Sequence, residues 1–295
     1  MQDNPRQNEQ AKDRVLGCML GGAVGDALGY SVEFYSWDSI VERFGESGIT
    51  RYELDRHGLA RISDDTQMSL FTAAGILLGM TRVCLRGIMG RIDSYCHFTY
   101  IDWLHTQEWT SRHENARVYS WLMNVPELYA VRAPGNTCLS AIRAIENGIP
   151  VENNSCGCGG VMRTAPLALL NYIHNYADGD LLYCDMCAAE AARITHKHPL
   201  GFIPSAILNH ILMEIQKERE PHLEDVIEEA LRHLPEIISE PDEDKTYGEL
   251  WPEYITTQNR LIRKALDWCE PQKLDDLLLI ITLVKSSVLH RTFSV

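Results

Sequence analysis

Ser63-Asp64-Asp65-Thr66-Gln67-Met68-Ser69-Leu70-Phe71-Thr72-Ala73-Ala74-Gly75-Ile76-Leu77-Leu78 sets a hydroxyl and two adjacent carboxylates directly ahead of an apolar run. The run reads as a buried helix, with Ser63 as its N-cap and both aspartates in its first turn. Acids placed there complement the positive end of the helix dipole. The same three side chains also form an all-oxygen donor set with no His or Cys nearby. That chemistry suits a hard cation, Mg2+ or Mn2+, rather than zinc. Spacing alone leaves both readings open.

Outward from this stretch, helical periodicity dominates. Residues 14–28 put Val15, Leu16, Met19, Leu20, Ala23, Val24 and Ala27 on a broad apolar face interspersed with Gly17, Gly21, Gly22 and Gly25. A glycine destabilises a helix by about 1 kcal/mol relative to alanine, so four of them imply close approach by another helix or by a ligand. Further helices are predicted over 65–79, 84–107, 115–124, 136–147, 161–175, 180–195, 202–218, 223–233 and 252–269. Strand-like alternation is scarce and no fixed-period repeat is present, which predicts a single large all-α domain. The acidic segment 220–249, broken by Pro221, Pro235 and Pro241, reads as a surface helix followed by a mobile loop.

The 295 residues are 45% hydrophobic, enough for a sizeable core, and carry a formal charge of −14. That balance disfavours nucleic acid as a general partner, while leaving room for a phosphate-bearing small molecule in one local pocket. The first ten residues are polar and do not form a secretory signal. The apolar stretch 277–284 is too short to span a bilayer, so no membrane partner is expected. Nine scattered cysteines suggest reduced thiols in a cytoplasmic protein. Cys184 and Cys187 have zinc-like spacing, but they lie in a helical pattern with no second pair and read as structural.

Three other segments carry candidate chemistry. Ser155-Cys156-Gly157-Cys158-Gly159-Gly160 runs into a helical pattern; its backbone N–H groups and the helix dipole could cradle a diphosphate, or the segment could be a tight turn between helices. It matches neither a Walker A nor a Rossmann fingerprint. Thr195-His196-Lys197-His198-Pro199 ends one helix and opens another, so its histidines either favour a helix C-terminus or line a pocket. Glu33 follows Gly25-Asp26-Ala27-Leu28-Gly29 as a lone acid among apolar neighbours; taken by itself it reads as a surface acid on a loop, whereas burial would raise its pKa toward the range useful in acid–base work.

These segments, together with Ala133-Pro134-Gly135-Asn136-Thr137, occur in an order that resembles the ADP-ribosylglycohydrolase family of the dinitrogenase-reductase-activating type. The resemblance covers about residues 12–215, and Asp64-Asp65-Thr66-Gln67 and Gly157-Cys158-Gly159-Gly160-Val161-Met162-Arg163 are its most specific parts. It implies a single orthogonal helical domain over 12–267, between a disordered segment 1–11 and an atypical, truncated or frame-shifted tail 268–295. It implies two Mg2+ or Mn2+ ions at the base of an ADP-ribose cleft. Carried onto this sequence, it makes Ser63, Asp64 and Asp65 metal ligands and gives catalytic roles to Glu33, Asp64 and Asp65. Asn136, Thr137, Ser155, Gly157, Cys158, Gly159 and His196 become substrate-binding residues.

The family's second metal motif, Asp-x-Asp-Thr/Ser after glycine, has no match here. Asp242-Glu243-Asp244-Lys245 follows a proline in a charged loop, and Asp275-Asp276 lacks the glycine and hydroxyl context. At most one divalent ion is therefore expected. The resemblance implies a hydrolase cleaving the glycosidic bond at ribose C1″ of an ADP-ribosylated protein or an ADP-ribose-containing small molecule. A catalytically silent ADP-ribose binder, or a structural protein of the same fold, is the alternative.

Overall fold

The computed structural model describes residues 5–88, 90–108, 116–174, 181–217, 222–237 and 248–268. Ten α-helices and no strands occur among them: α1 (Pro5–Gly29), α2 (Trp37–Phe44), α3 (Asp64–Arg86), α4 (Ile92–Gln107), α5 (Asn136–Glu146), α6 (Ala165–His174), α7 (Leu181–Arg193), α8 (Pro199–Lys217), α9 (Leu223–Ile237) and α10 (Trp251–Trp268). The predicted all-α class is correct.

The apolar run after Asp65 becomes α3, the central helix of one core. Phe71, Tyr100 and Trp103 are fully buried there beside Met68, Leu104 and Ile142. Burying a side chain such as Phe71 stabilises the fold by roughly 2–3 kcal/mol. Helices α3 and α4 meet closely where α3 carries glycine. A Cβ on Gly75 would stand 3.0 Å from the Cα of Cys96, so alanine there would push the two backbones apart. A second core gathers Phe202, Ile203, Ile207 and Ile211 of α8 with Leu231 of α9 and Trp251 of α10. Helices α6 and α7 serve both cores from different faces, through Leu167 and Ala188 on one side and Ala168 and Ala189 on the other.

Polar clamps fix the helix pairs inside this apolar frame. The buried Asp185 carboxylate of α7 accepts from Nδ2 of Asn209 at 2.8 Å and pairs with Nδ1 of His210 at 2.8 Å, both on α8. Helices α4 and α5 are joined by His105 Nε2 and Glu146 at 2.6 Å and by the Arg143–Glu108 ion pair.

Several boundaries depart from the sequence reading. Residues 5–11, expected to be disordered, form the first turns of α1. Helix α3 runs on to Arg86 and stops at Gly87, whose φ of +65° suits glycine. The helix expected over 115–124 does not form in its described part. The Asp102 carboxylate accepts the N–H groups of Tyr119 and Ser120, Ser120 caps a short 3-10 turn over Trp121–Asn124, and Pro126 opens another. Helix α2 was missed although Ser36 caps it and Gly45 ends it with φ +85°. The 161–175 helix is split into a 3-10 turn at Val161–Arg163 and α6, whose second residue, Pro166, falls in the first turn where its missing N–H does no harm. The loop expected in 220–249 lies mostly outside the described residues.

Two stretches, Ala11–Val32 and Asp64–Arg86, are long and apolar enough to cross a bilayer by length and composition. The second instead packs on α4 with Gln67 and Thr72 fully buried, and the first delivers Asp26 to a polar site.

Candidate active site

The N-terminus of α3 is capped twice. Ser63 Oγ accepts the Asp65 N–H at 3.1 Å, the N-cap the sequence predicts. Asp26, from the end of α1, caps the same turn from outside. Its carboxylate accepts the Ser63 N–H at 2.8 Å, the Ser63 hydroxyl at 2.6 Å, the Thr66 N–H at 3.2 Å and the Thr66 hydroxyl. Sequence reasoning gave Asp26 no role. The available signal was a single carboxylate near the end of an otherwise apolar, glycine-rich helix.

Asp64 is held by the segment before α5. Its N–H donates to the Arg132 carbonyl at 3.0 Å, and its Oδ2 accepts the Gly135 N–H at 3.1 Å. Between these contacts Ala133 adopts φ +53°, a left-handed conformation that costs a non-glycine residue about 1–2 kcal/mol. Such strain persists only where surrounding contacts determine it, and here the two Asp64 contacts flank it. The fully buried Gln67 donates to the Ala130 carbonyl at 3.0 Å and so ties the approach to this segment onto α3.

The site's electrostatics centre on Asp64, only 4% exposed. Burial, followed by the charge of Asp65, pushes its carboxyl up to about 7; Glu33 and Asp26 add to the rise, against the pull of the Gly135 N–H. Tyr30 is also pushed up, first by burial and then by Glu33, Asp26 and Asp64, with Arg132 opposing. Asp26, Glu33 and Asp65 thus all lie within electrostatic reach of Asp64. Of the two readings of Glu33, the structure has the surface acid: it is exposed, and the neighbouring Phe34 turns outward at 76% exposure.

These acids match a hard cation in chemistry, and their mutual repulsion calls for positive charge. They do not form a complete cage, since no three His, Cys, Asp or Glu side chains among the described residues are arranged to hold a metal. The Ser63 hydroxyl, expected as a ligand, already donates to Asp26 and accepts from Asp65. Asp242, Asp244, Asp275 and Asp276 lie outside the described residues.

The first turn of α5 links this acid cluster to the glycine loop. Gly135 is its N-cap, Asn136 is exposed, and the Thr137 hydroxyl meets the Ser155 hydroxyl at 3.1 Å. Ser155 Oγ also receives the Gly157 N–H at 3.4 Å, while Asn153 braces the loop from below through the Ser155 and Lys197 N–H groups. The Cys158 carbonyl accepts from Val161 and Met162, which makes 158–162 a tight turn. Gly159 belongs to the loop read from sequence either as a diphosphate cradle or as a tight turn, and a phosphate site would need it to leave the approach clear. A Cβ there would instead stand 2.7 Å from both Cys138 Sγ and His196 Cε1, so this glycine is required by packing within the protein.

His196 is 2% exposed, and burial and then the Arg163 charge push its imidazole down to about 3. It is therefore neutral and does not act as a cation on a helix C-terminus. Its Nδ1 lies 2.8 Å from Thr195 Oγ1, and its Nε2 faces the loop, 3.4 Å from where a Gly157 Cβ would stand.

The expected residues therefore assemble into an acid-lined helix junction beside a glycine turn, joined by the start of α5, on an all-α scaffold. A model of the ADP-ribosylglycohydrolase family matches residues 7–287, past Asp267 and into the tail expected to be atypical. The chain belongs to that family. The ADP-ribosyl-[dinitrogen reductase] glycohydrolase of Rhodospirillum rubrum is 32% identical to it over 194 residues, 64% of this chain and 53% of that protein. The match thus spans about half the length of that curated relative.

Proposed function

We propose that the chain is a glycohydrolase that removes ADP-ribose from a modified protein by breaking the glycosidic bond at ribose C1″. The observation carrying this reading is the crowding of Asp26, Glu33 and Asp65 around a buried Asp64 whose carboxyl is pushed up to about 7. A site with that much negative charge favours an oxocarbenium-like transition state, as in glycoside hydrolysis generally. The name of the Rhodospirillum rubrum relative, which acts on an ADP-ribosylated protein, supports the substrate class.

In this reading Glu33, exposed at the mouth of the cluster, faces the scissile ribose. Asp64 and Asp65 are offered to one Mg2+ or Mn2+ ion, which when bound would fix ribose hydroxyls and polarise water. With no ion present, Asp64 keeps a proton near neutral pH and so limits the repulsion. Asn136, Thr137, Ser155 and the 157–159 turn receive the ADP portion, with His196 beneath it as an uncharged partner. Asp26 touches no substrate; it holds the start of α3 in register.

Release of ADP-ribose from an ADP-ribosylated protein, followed with Mg2+ and again with EDTA, tests the proposal. Metal-dependent release that disappears in Glu33→Gln supports it. Binding of ADP-ribose without release in any divalent metal would identify a silent binder and overturn the hydrolase.

A further inference from the structure

Arg163 is 1% exposed, and no carboxylate pairs with it among the described residues. The proposed function leaves this buried charge without a task. Its guanidinium lies 4.5 Å above the Tyr100 ring, with Nη1 near Met68 Sδ at 3.5 Å and Cys138 Sγ at 3.8 Å. Nη2 donates to the Ala191 carbonyl at 3.0 Å and to Thr195 Oγ1 at 2.7 Å.

The last contact fixes a chain of proton positions. Arginine is always a donor, so Thr195 Oγ1 is an acceptor toward it. The hydroxyl's own proton has three takers: Nδ1 of His196 at 2.8 Å, the Ala192 carbonyl at 3.5 Å and the Cys138 sulfur, a weak acceptor. The imidazole nitrogen, the shortest contact and the strongest acceptor, takes it; the Ala192 carbonyl already receives Arg163 Nη2 at 3.4 Å, and the Cys138 sulfur already receives Arg163 Nη1 at 3.8 Å. Nδ1 is then an acceptor, which leaves the ring proton on Nε2. That atom has no hydrogen-bond partner among the described residues and points at the 157–159 turn.

We infer that Arg163 and Thr195 are positioning residues that fix His196 as a neutral imidazole protonated at Nε2, so that the turn receives an uncharged N–H donor. An oxygen acceptor, not a cation or a second donor, is the ligand chemistry this selects. The direct contact of Arg163 with the Thr195 hydroxyl explains why a buried cation is kept there without an anion. Such a cation also disfavours an imidazolium close by. That the acceptor is a phosphate oxygen of an ADP-ribosyl group rests on the proposed function; the position of the proton does not.

Imidazole 15N spectra of the full chain test the relay, with His196→Gln assigning the signal. The expected pattern is a pyridine-like Nδ1 and a pyrrole-like Nε2 that persist from about pH 5 to 8, where an unperturbed histidine would titrate. A pyrrole-like Nδ1, or an imidazolium in that range, overturns the inference. Thr195→Val should mix the two tautomers and weaken ADP-ribose binding about fivefold, the worth of one neutral hydrogen bond, while Thr195→Ser stays within about twofold of wild type. A folded Thr195→Val protein with the wild-type spectrum and affinity also overturns it; if that variant does not fold, the wild-type spectrum and Thr195→Ser decide. If the wild type does not bind ADP-ribose, the functional reading fails, and the spectrum still decides the relay.

Discussion

Asp64→Asn should make the metal-free protein more stable at pH 8, by progressively less as the pH falls, and leave it unchanged below about pH 4. Burial and Asp65 raise the Asp64 carboxyl from 3.8 to about 7. Three units at 1.36 kcal/mol each set a ceiling of about 4 kcal/mol on what ionising this group costs the folded state. The sign follows from proton binding. Between about pH 4 and 7 the folded chain holds a proton on Asp64 that the unfolded chain has lost, so wild-type stability falls as pH rises through that window. Asparagine keeps an oxygen for the Gly135 N–H, fits the same space and never ionises. The variant should therefore gain about 2–4 kcal/mol above pH 7, or about 3–6 °C in melting temperature for a chain of this size. Thermal unfolding followed by circular dichroism in EDTA across this range is the assay. An equal offset at every pH, or a less stable variant at pH 8, would refute the placement of Asp64 in an uncompensated acid cluster.

Mg2+ should raise the wild-type melting temperature at pH 8 and narrow its gap to Asp64→Asn, since a cation relieves the same repulsion; titration with Mg2+ in both proteins checks this. Asp26→Ala removes the acceptor for four donors at the start of α3 and should lower stability by about 2–4 kcal/mol in urea unfolding. Ala133→Gly should relieve the left-handed strain and stabilise the fold by up to about 1 kcal/mol in the same assay. Gly159→Ala should destabilise by about 1–3 kcal/mol before any ligand is added, because its Cβ would strike Cys138 and His196.

What the sequence revealed was local. The start of α3 was legible because Ser63, Asp64 and Asp65 stand next to the apolar run they cap. The pairing of Thr137 with Ser155 and of Asp26 with Ser63 was not, because these contacts join residues far apart in the chain and leave no periodic trace. The two readings of Glu33 could not be separated in sequence for a physical reason: apolar neighbours imply burial only if they pack, and Phe34 does not. Gly159 looked like a clearance for a ligand. The clearance exists, but the buried ring of His196 takes it, which could only be seen once α5 and α7 were in place.

Helix α1 has a consequence for how the site is kept together over time. Added Cβ atoms at Gly17, Gly21, Gly22 and Gly29 would meet nothing within 4 Å, and Leu16, Leu20 and Val24 are exposed. The close approach that Gly17, Gly21 and Gly22 suggested is absent among the described residues. This helix nevertheless carries Asp26 and leads into Glu33, and its side-chain ties run from Arg14 to the Gln216 carbonyl at one end and from Asp26 to α3 at the other. Two of the four acids are thus carried by a helix, and the turn after it, that contributes no residue to either core among the described residues. Amide exchange in α1 should run through local opening, far faster than in α3 or α8. An opening of α1 that frees Asp26 would part it from Ser63 and Asp64 while the two cores stay folded, so in the proposed reading activity would track the fraying of one helix.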